Sequence, residues 1–559
     1  MSLARAENFG AAPVGESRED RHWLQWTWWL VGGLLLFRLA YAAIVPLDLV
    51  PDEAYYWDWS RQLDWGYYSK PPMVAWLIGL STSLLGSTAL AIRLPAVLLG
   101  TLGLFWMYLL AARLYGRQAG FWAALLTAAT PGNAALALLM TIDAPFLFCW
   151  CGALYFFWRF LEGGRSGLVY LAAATLVTGL GLLSKQTMLA FLPLALAFLW
   201  LSPPDRGRLR KPGVWAWFAG SLLFLLPVLL WNLQHDWITV QHTSGHFSGG
   251  GVGLVKRLSR FGEFLAGQLG GGSPVTMTLY AAVLVLAARG FRHLDRRARY
   301  LFCFSGLPMA GVLGLALIQR VQPNWPAGFV PSGLVLVCGW ALGQIAGIGP
   351  LKAGTLGLRR AAAIGAVCVL VTYLLPFGFG LQGSRLDPAA RLRGWQRLGQ
   401  TVDAVWCRLP HRQNAFLITT TGRTAASELA FYLPDQPRVF VWNATGRALS
   451  QYDVWGGPQD PPGAAGLIVT PPGDPPPAEL VAAFERIERC GEVSVPIGNG
   501  RSHRYQLWRG LGFLSWPCPS VPADSRPGLS KKNGPSSPQR RGPSVSLQRT
   551  TVIQLVSIL

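Results

Sequence analysis

Between Leu24 and Leu381 the chain is dominated by apolar runs separated by short polar stretches. Many of these runs are about 18–22 residues long, enough for a helix to cross roughly 30 Å of hydrocarbon at 1.5 Å rise per residue. Composition agrees: 52% of residues are hydrophobic, 13% are charged, and mean hydropathy is +0.33. The expected class is a polytopic α-helical membrane protein, not a soluble globular domain.

A formal net charge of +21 invites a nucleic-acid reading. The basic residues, however, lie mainly in short loops between apolar runs and in the final tail. They read as topology determinants, and no nucleic-acid partner is expected. Of the eight cysteines, Cys149, Cys151, Cys303, Cys338 and Cys368 sit in apolar runs as small core residues. No cysteine or histidine spacing suits a metal. Cys407 and Cys490 lie in a later polar region and could pair if that region is extracytoplasmic. The first apolar run lacks a convincing small-residue cleavage site and reads as a retained span.

Topology follows from the loops. Met73–Gly86 is too short to cross a bilayer, and counting it as a span would flip every later basic loop. It reads instead as an interfacial helix beginning at Pro71-Pro72. Eleven spans remain: Leu24–Val45, Ile92–Ala112, Ala119–Met140, Ala144–Leu161, Gly167–Leu183, Thr187–Leu201, Val214–Asn232, Val275–Ala288, Tyr300–Ile318, Pro326–Ile345 and Ala361–Leu381. The Arg- and Lys-bearing loops, from Arg18/Arg21 to Lys352/Arg359/Arg360, then fall on one face. The unusual polar residues fall on the other: the Asp52–Lys70 loop, Thr141–Asp143, Ser184–Gln186, His235–Gly272 and Val321–Trp325.

Beyond Leu381 the composition becomes polar. Strand-like runs at Ala415–Thr420, Val439–Trp442 and Gly466–Thr470 alternate with helical patterns at Arg423–Tyr432 and Pro477–Arg489. The expected organisation is a cytoplasmic segment over 1–23, a membrane domain over 24–384, a small external α/β domain over 385–513, and a disordered basic tail over 514–559. Gly249–Gly251 and Gly270–Gly272 read as flexible loop elements, and the Asn443-Ala444-Thr445 sequon carries no weight alone.

Chemistry concentrates in Pro51-Asp52-Glu53-Ala54-Tyr55-Tyr56-Trp57 and Gly66-Tyr67-Tyr68-Ser69-Lys70-Pro71-Pro72. Further candidates are Asp143 in Thr-Ile-Asp-Ala-Pro, Lys185 between two apolar runs, His242 and His246 in the loop after Trp231, and Trp325 in Gln-Pro-Asn-Trp-Pro. Ionisable groups beside a membrane core are costly and default to functional candidates. Each also has a plainer reading. Asp52, Glu53 and Asp143 could cap helices, Lys70 could snorkel, a histidine could be structural, and Trp325 could be an interfacial anchor.

These motifs resemble those of the C-type membrane glycosyltransferases, including the protein O-mannosyltransferases and the lipid A aminoarabinose transferases. The resemblance covers about Leu24–Leu381 and implies transfer of a sugar from a polyprenyl-phosphate donor to a lipid or glycan acceptor, on the outer face of the cytoplasmic membrane. It implies Asp52 as general base, assisted by Asp143. Glu53, Lys70, Lys185, His242, His246 and Trp325 would bind substrate, Lys70 meeting the lipid phosphate. Some relatives place a glutamate before that lysine to help bind a metal, whereas this chain has Ser69, a poor divalent ligand. No cofactor or metal is predicted. The rival readings are a transporter or lipid flippase, which should carry mid-membrane charges and repeat symmetry, and a scaffold built on the C-terminal domain.

Overall fold

In the computed structural model, the residues described are 18–245, 253–378, 382–384, 387, 389–459 and 462–517. Helices form the chain as far as residue 377, and a mixed α/β unit follows. Among the described residues, six helices are long and apolar enough to cross a membrane. They are Arg21–Ile44, Ala89–Ala128, Asp143–Glu162, Pro212–Gln234, Arg296–Ile318 and Gly354–Phe377. Leu254–Gly272 and Pro274–Arg289 make a seventh if that bent pair, angled by 111°, is one span. Shorter apolar helices occupy Met73–Leu85, Gly167–Leu182, Gln186–Leu201 and Ala327–Ala341. The chain is a multi-pass membrane protein. Its expected spans all contain helix, but length and composition establish six or seven rather than eleven.

Local chemistry explains where the helices differ from expectation. The Ala89–Ala128 helix is broken at Tyr115 and at Gly116, whose φ of +84° suits glycine. Gly120 then packs directly on Tyr108, so the chain folds back there. The expected Ala119–Met140 span ends early, because Thr130 caps a separate short helix at Pro131–Leu136. The stretch expected as the His235–Gly272 loop contains the helices Ile238–Gly245 and Leu254–Gly272. Gly270–Gly272 is thus the last turn of a helix, not a loop. Gly249–Gly251 and His246 lie outside the described residues, as do 1–17 and the tail from residue 518.

Charge sorts to the two ends of the bundle. At one end Arg113 and Arg159 pair with Glu162 at 2.9 and 3.0 Å, while Arg296 and Arg208 meet Asp205 at 2.8 and 3.4 Å. The candidate site occupies the other end. Between them, Arg38 of the first helix is fully buried and donates to Thr101, Asn133 and Tyr373. With only neutral oxygens as partners, it joins the first helix to three others, a use of polar groups typical of membrane interiors.

The C-terminal unit is a five-stranded mixed sheet ordered β2-β1-β3-β5-β4. Its strands are β1 (Phe416–Thr419), β2 (Val439–Val441), β3 (Gly466–Thr470), β4 (Phe484–Gly498) and β5 (Arg501–Phe513). β1 pairs in parallel with β2 and β3, and the Arg423–Tyr432 helix makes the β1–β2 crossover. The expected helix at Pro477–Arg489 is only Ala478–Val481, and β4 begins at Phe484. The reason lies downstream: Asn499 and Gly500 both take positive φ in a two-residue turn that zips β4 onto β5. β5 pairs in turn with β3, so sheet pairing outweighs the helical pattern.

This unit packs directly against the first polar loop. Trp57, Trp59 and Tyr55 from the first polar loop share one apolar core with Trp406, Leu417, Ala426 and Tyr452. Trp57 meets Phe431 edge-on at 5.0 Å. The Tyr452 hydroxyl donates to Asp58 at 2.7 Å, and the Leu49 N–H donates to the Tyr432 hydroxyl at 2.7 Å.

Candidate functional site

The first polar loop forms a helix over Pro51–Ser60, with proline in its first turn and Asp52 and Glu53 beside the positive end of its dipole. The two acids then diverge. Glu53 is fully buried: Arg93 grips its carboxylate at 3.1 Å, and the N–H groups of Val50 and Met140 each donate to it at 2.9 Å. Its lone pairs are committed to joining the loop to the Ala89–Ala128 helix. Asp52 instead faces outward with its side chain 43% exposed, and Oδ1 lies 3.0 Å from Nη2 of Arg423. Arg423 opens the Arg423–Tyr432 helix of the C-terminal unit, and its guanidinium lies 4.8 Å from the centre of the Tyr55 ring.

Asp143 opens the Asp143–Glu162 helix and is buried. Lys185 Nζ lies 2.6 Å from its Oδ1, and Asn324 Nδ2 donates to its Oδ2 at 3.1 Å. The Lys185 corner is tied to the Lys70 corner: the Met73 N–H donates to the Leu183 carbonyl at 3.1 Å, and Gln186 donates to the Ser69 carbonyl at 3.3 Å. Lys70 therefore stands near Lys185, yet among the described residues no carboxylate pairs with it. Burial, and then the like charge of Lys185, lower its pKa below that of an ordinary lysine, while Asp52 and Asp143 pull the other way. The buried Tyr56 phenol feels Asp52, Arg423 and Asp143 together, so it lies among them. Burial, foremost, holds its pKa well above the usual value.

The expected histidine approaches from a strained turn. Asp236 and Trp237 both have positive φ, and Trp237 N–H and Thr239 N–H close on Asn232. The Ile238–Gly245 helix that follows is held by Thr239, which donates to the Tyr67 carbonyl at 2.9 Å. It brings the His242 ring to 4.8 Å from the Tyr68 ring. Trp325 packs against Phe264, Ala316 and Val321. Its neighbour Asn324 is the residue of that motif that reaches Asp143.

An apolar cavity of about 130 Å³ adjoins this pair. Leu99, Gly103, Met107, Leu147 and Phe148 line it, and Asn324 belongs to its wall. Among the described residues no three of His, Cys, Asp or Glu cluster as metal ligands.

Residues 69–231 match the family model described as dolichyl-phosphate-mannose-protein mannosyltransferase. The chain is 31% identical over 317 residues to lipid A galacturonosyltransferase RgtD of Rhizobium johnstonii, a match covering 56% of this chain and 64% of that protein. The crystal structure of ArnT from Cupriavidus metallidurans in the apo state superposes with a TM-score of 0.56 at 16% identity, covering 88% of this chain and 98% of ArnT. The same protein bound to undecaprenyl phosphate gives a TM-score of 0.58 at 16% identity, covering 86% and 97%. The chain shares the fold of these crystal structures.

Within this fold, the structure brings Asp52, Asp143, Lys70, Lys185 and His242 to one end of the bundle, and Trp325 packs beside Phe264 and Val321. Sequence reasoning missed three site-building residues. Arg93 sits in an otherwise apolar stretch of its helix, where an arginine signals a buried partner. Asn324 was overshadowed by the neighbouring tryptophan. Arg423 comes from the C-terminal unit, and only folding brings it to Asp52.

Proposed function

We propose that the chain transfers a sugar from a polyprenyl-phosphate donor to a lipid A-type or related envelope glycan acceptor. The reaction would take place at the outer face of the cytoplasmic membrane. The observation that carries this reading is Lys70: a cation with no carboxylate partner among the described residues, in the same charge cluster as Asp52, Asp143 and Arg423. A lipid phosphate supplies the missing anion, and loss of that phosphate on transfer requires a cation to stabilise it. The likeness of fold to a protein crystallised with undecaprenyl phosphate supports the donor class. The likeness to a lipid A galacturonosyltransferase supports the acceptor, and a hexuronic acid as the sugar.

In this reading Asp52 is the general base, being the acid left outward-facing. It takes the proton of the acceptor hydroxyl, whose oxygen attacks the anomeric carbon as the bond to phosphate breaks. Lys70 holds the departing phosphate. Asp143, fixed by Lys185 and Asn324, orients the acceptor. Lys185 assists through Asp143, Glu53 keeps the loop in place through Arg93, and His242 lines the entrance beside Tyr68. The apolar cavity beside Asn324 accommodates a lipid chain.

The test is transfer by purified wild type and Asp52→Asn, using radiolabelled polyprenyl-phosphate sugars and total envelope acceptors. The expected result is transfer by wild type and a loss of about 10²-fold or more in a folded Asp52→Asn. Transfer that survives the substitution moves the base elsewhere. No transfer by wild type with any donor removes the enzyme reading.

A further inference from the structure

The Asp52–Arg423 pair poses a problem for a working base. Arg423 is half-exposed and its ion pair with Asp52 is a single contact at 3.0 Å. No other ion pair of Arg423 occurs among the described residues. The cation therefore competes directly with any hydroxyl that approaches the Asp52 carboxylate. A buried bidentate clamp would be structural, as Arg93 is to Glu53. A solvent-facing single contact is exchangeable, and a second anion can draw the guanidinium away.

Charge accounting says that this anion comes from a substrate. Lys185 is committed to Asp143, and Lys70 is free for one phosphate. Of the three cations described in this cluster, that leaves Arg423 with capacity for a further negative group, and a planar guanidinium favours carboxylate or phosphate geometry. Its fixed seat over Tyr55 limits the rotamers lost on binding.

We propose that Arg423 is a specificity-determining residue that receives an anionic group of the substrate and, in doing so, releases Asp52. This rests on the transferase reading above. Two sources share the chemistry: the carboxylate of an acidic donor sugar and a phosphate of the acceptor.

The test measures binding to the purified full chain, so that it is separable from turnover. The donor probes are a synthetic polyprenyl-phosphate hexuronic acid and its neutral hexose counterpart. The acceptor probes are a lipid A with its phosphates and the same lipid dephosphorylated. Wild type is expected to favour one charged probe over its neutral match by about tenfold. Arg423→Gln should collapse that ratio and Arg423→Lys should retain part of it, whereas Lys70→Gln should weaken both donors and preserve the ratio. A preference confined to the donor pair assigns the carboxylate, and one confined to the acceptor pair assigns the phosphate. The proposal is overturned if wild type shows neither preference, or if Arg423→Gln leaves the ratio intact. Should neither donor bind wild type, the lipid-phosphate reading itself fails and takes this inference with it. Thermal melting of both Arg423 variants checks folding, and Arg423→Lys carries the test if Arg423→Gln does not fold.

Discussion

Lys185 and Asp143, 42 residues apart in the chain, meet at 2.6 Å with both side chains almost wholly buried. Each is the other's counter-ion, so neither acts alone. Truncating one leaves an uncompensated buried charge, a cost of about 3–5 kcal/mol. Asp143→Asn and Lys185→Met should therefore each lower the melting temperature sharply and abolish transfer, while the double variant Asp143→Asn/Lys185→Met recovers much of the stability. Additive losses in that double-mutant cycle would show that the two side chains are not coupled.

The Glu53–Arg93 pair should behave as scaffold. Glu53→Gln leaves the guanidinium without its charge partner and is expected to destabilise by about 3 kcal/mol. Because the pair joins the Pro51–Ser60 helix to the bundle, the loop should loosen first. Faster amide exchange over residues 50–60 than in the sheet would report this, and uniform exchange throughout would speak against it.

Donor affinity should depend on pH through Lys70. Phosphate needs the ammonium, and burial brings its pKa below the ordinary lysine range. Affinity is therefore full at low pH and is lost as pH rises through that lowered value, earlier than for an exposed lysine. For stability the sign is opposite. Between the lowered value and about 10.4 the unfolded chain binds more protons, so stability rises with pH across that window. Lys70→Gln should remove both trends, which titrated binding and melting would reveal.

Glu428 sits fully buried in the Arg423–Tyr432 helix, and neither carboxyl oxygen has a hydrogen-bond partner among the described residues. Burial, then the charges of Asp48 and Glu53, hold its pKa well above the ordinary glutamate range, with Arg93 opposing. The folded state keeps this proton longer than the unfolded one. Its contribution is therefore intact at acid pH and lost as pH rises through the raised value. Glu428→Gln should flatten that decline and stabilise the protein by about 1 kcal/mol or more near neutral pH. Equal melting curves for the two proteins at pH 5 and pH 8 would contradict it.

What the sequence determined is what local chemistry dictates. Apolar runs have no stable form in lipid but the helix, so the class and the helical segments were legible from Leu24 onward. Pro71-Pro72 marked where one helix begins, and the acidic and basic candidates could be named because charge beside a membrane is costly. β1, β2 and β3 showed as apolar runs, and the Arg423–Tyr432 helix matched its expected bounds.

Only the tertiary structure decided partnership. Two adjacent acids, equal in sequence, became a buried strut and an exposed carboxylate, because Arg93 lies beneath one and Arg423 beside the other. The Pro477–Arg489 pattern became part of a hairpin because β3 offered β5 an edge. The tryptophans of the first loop find their apolar surface in the C-terminal unit, a contact that no local pattern announces. Such contacts join residues hundreds of positions apart. Their energy depends on distances that no local pattern encodes, and the identity of a side chain at one site cannot reveal which distant charge will neutralise it.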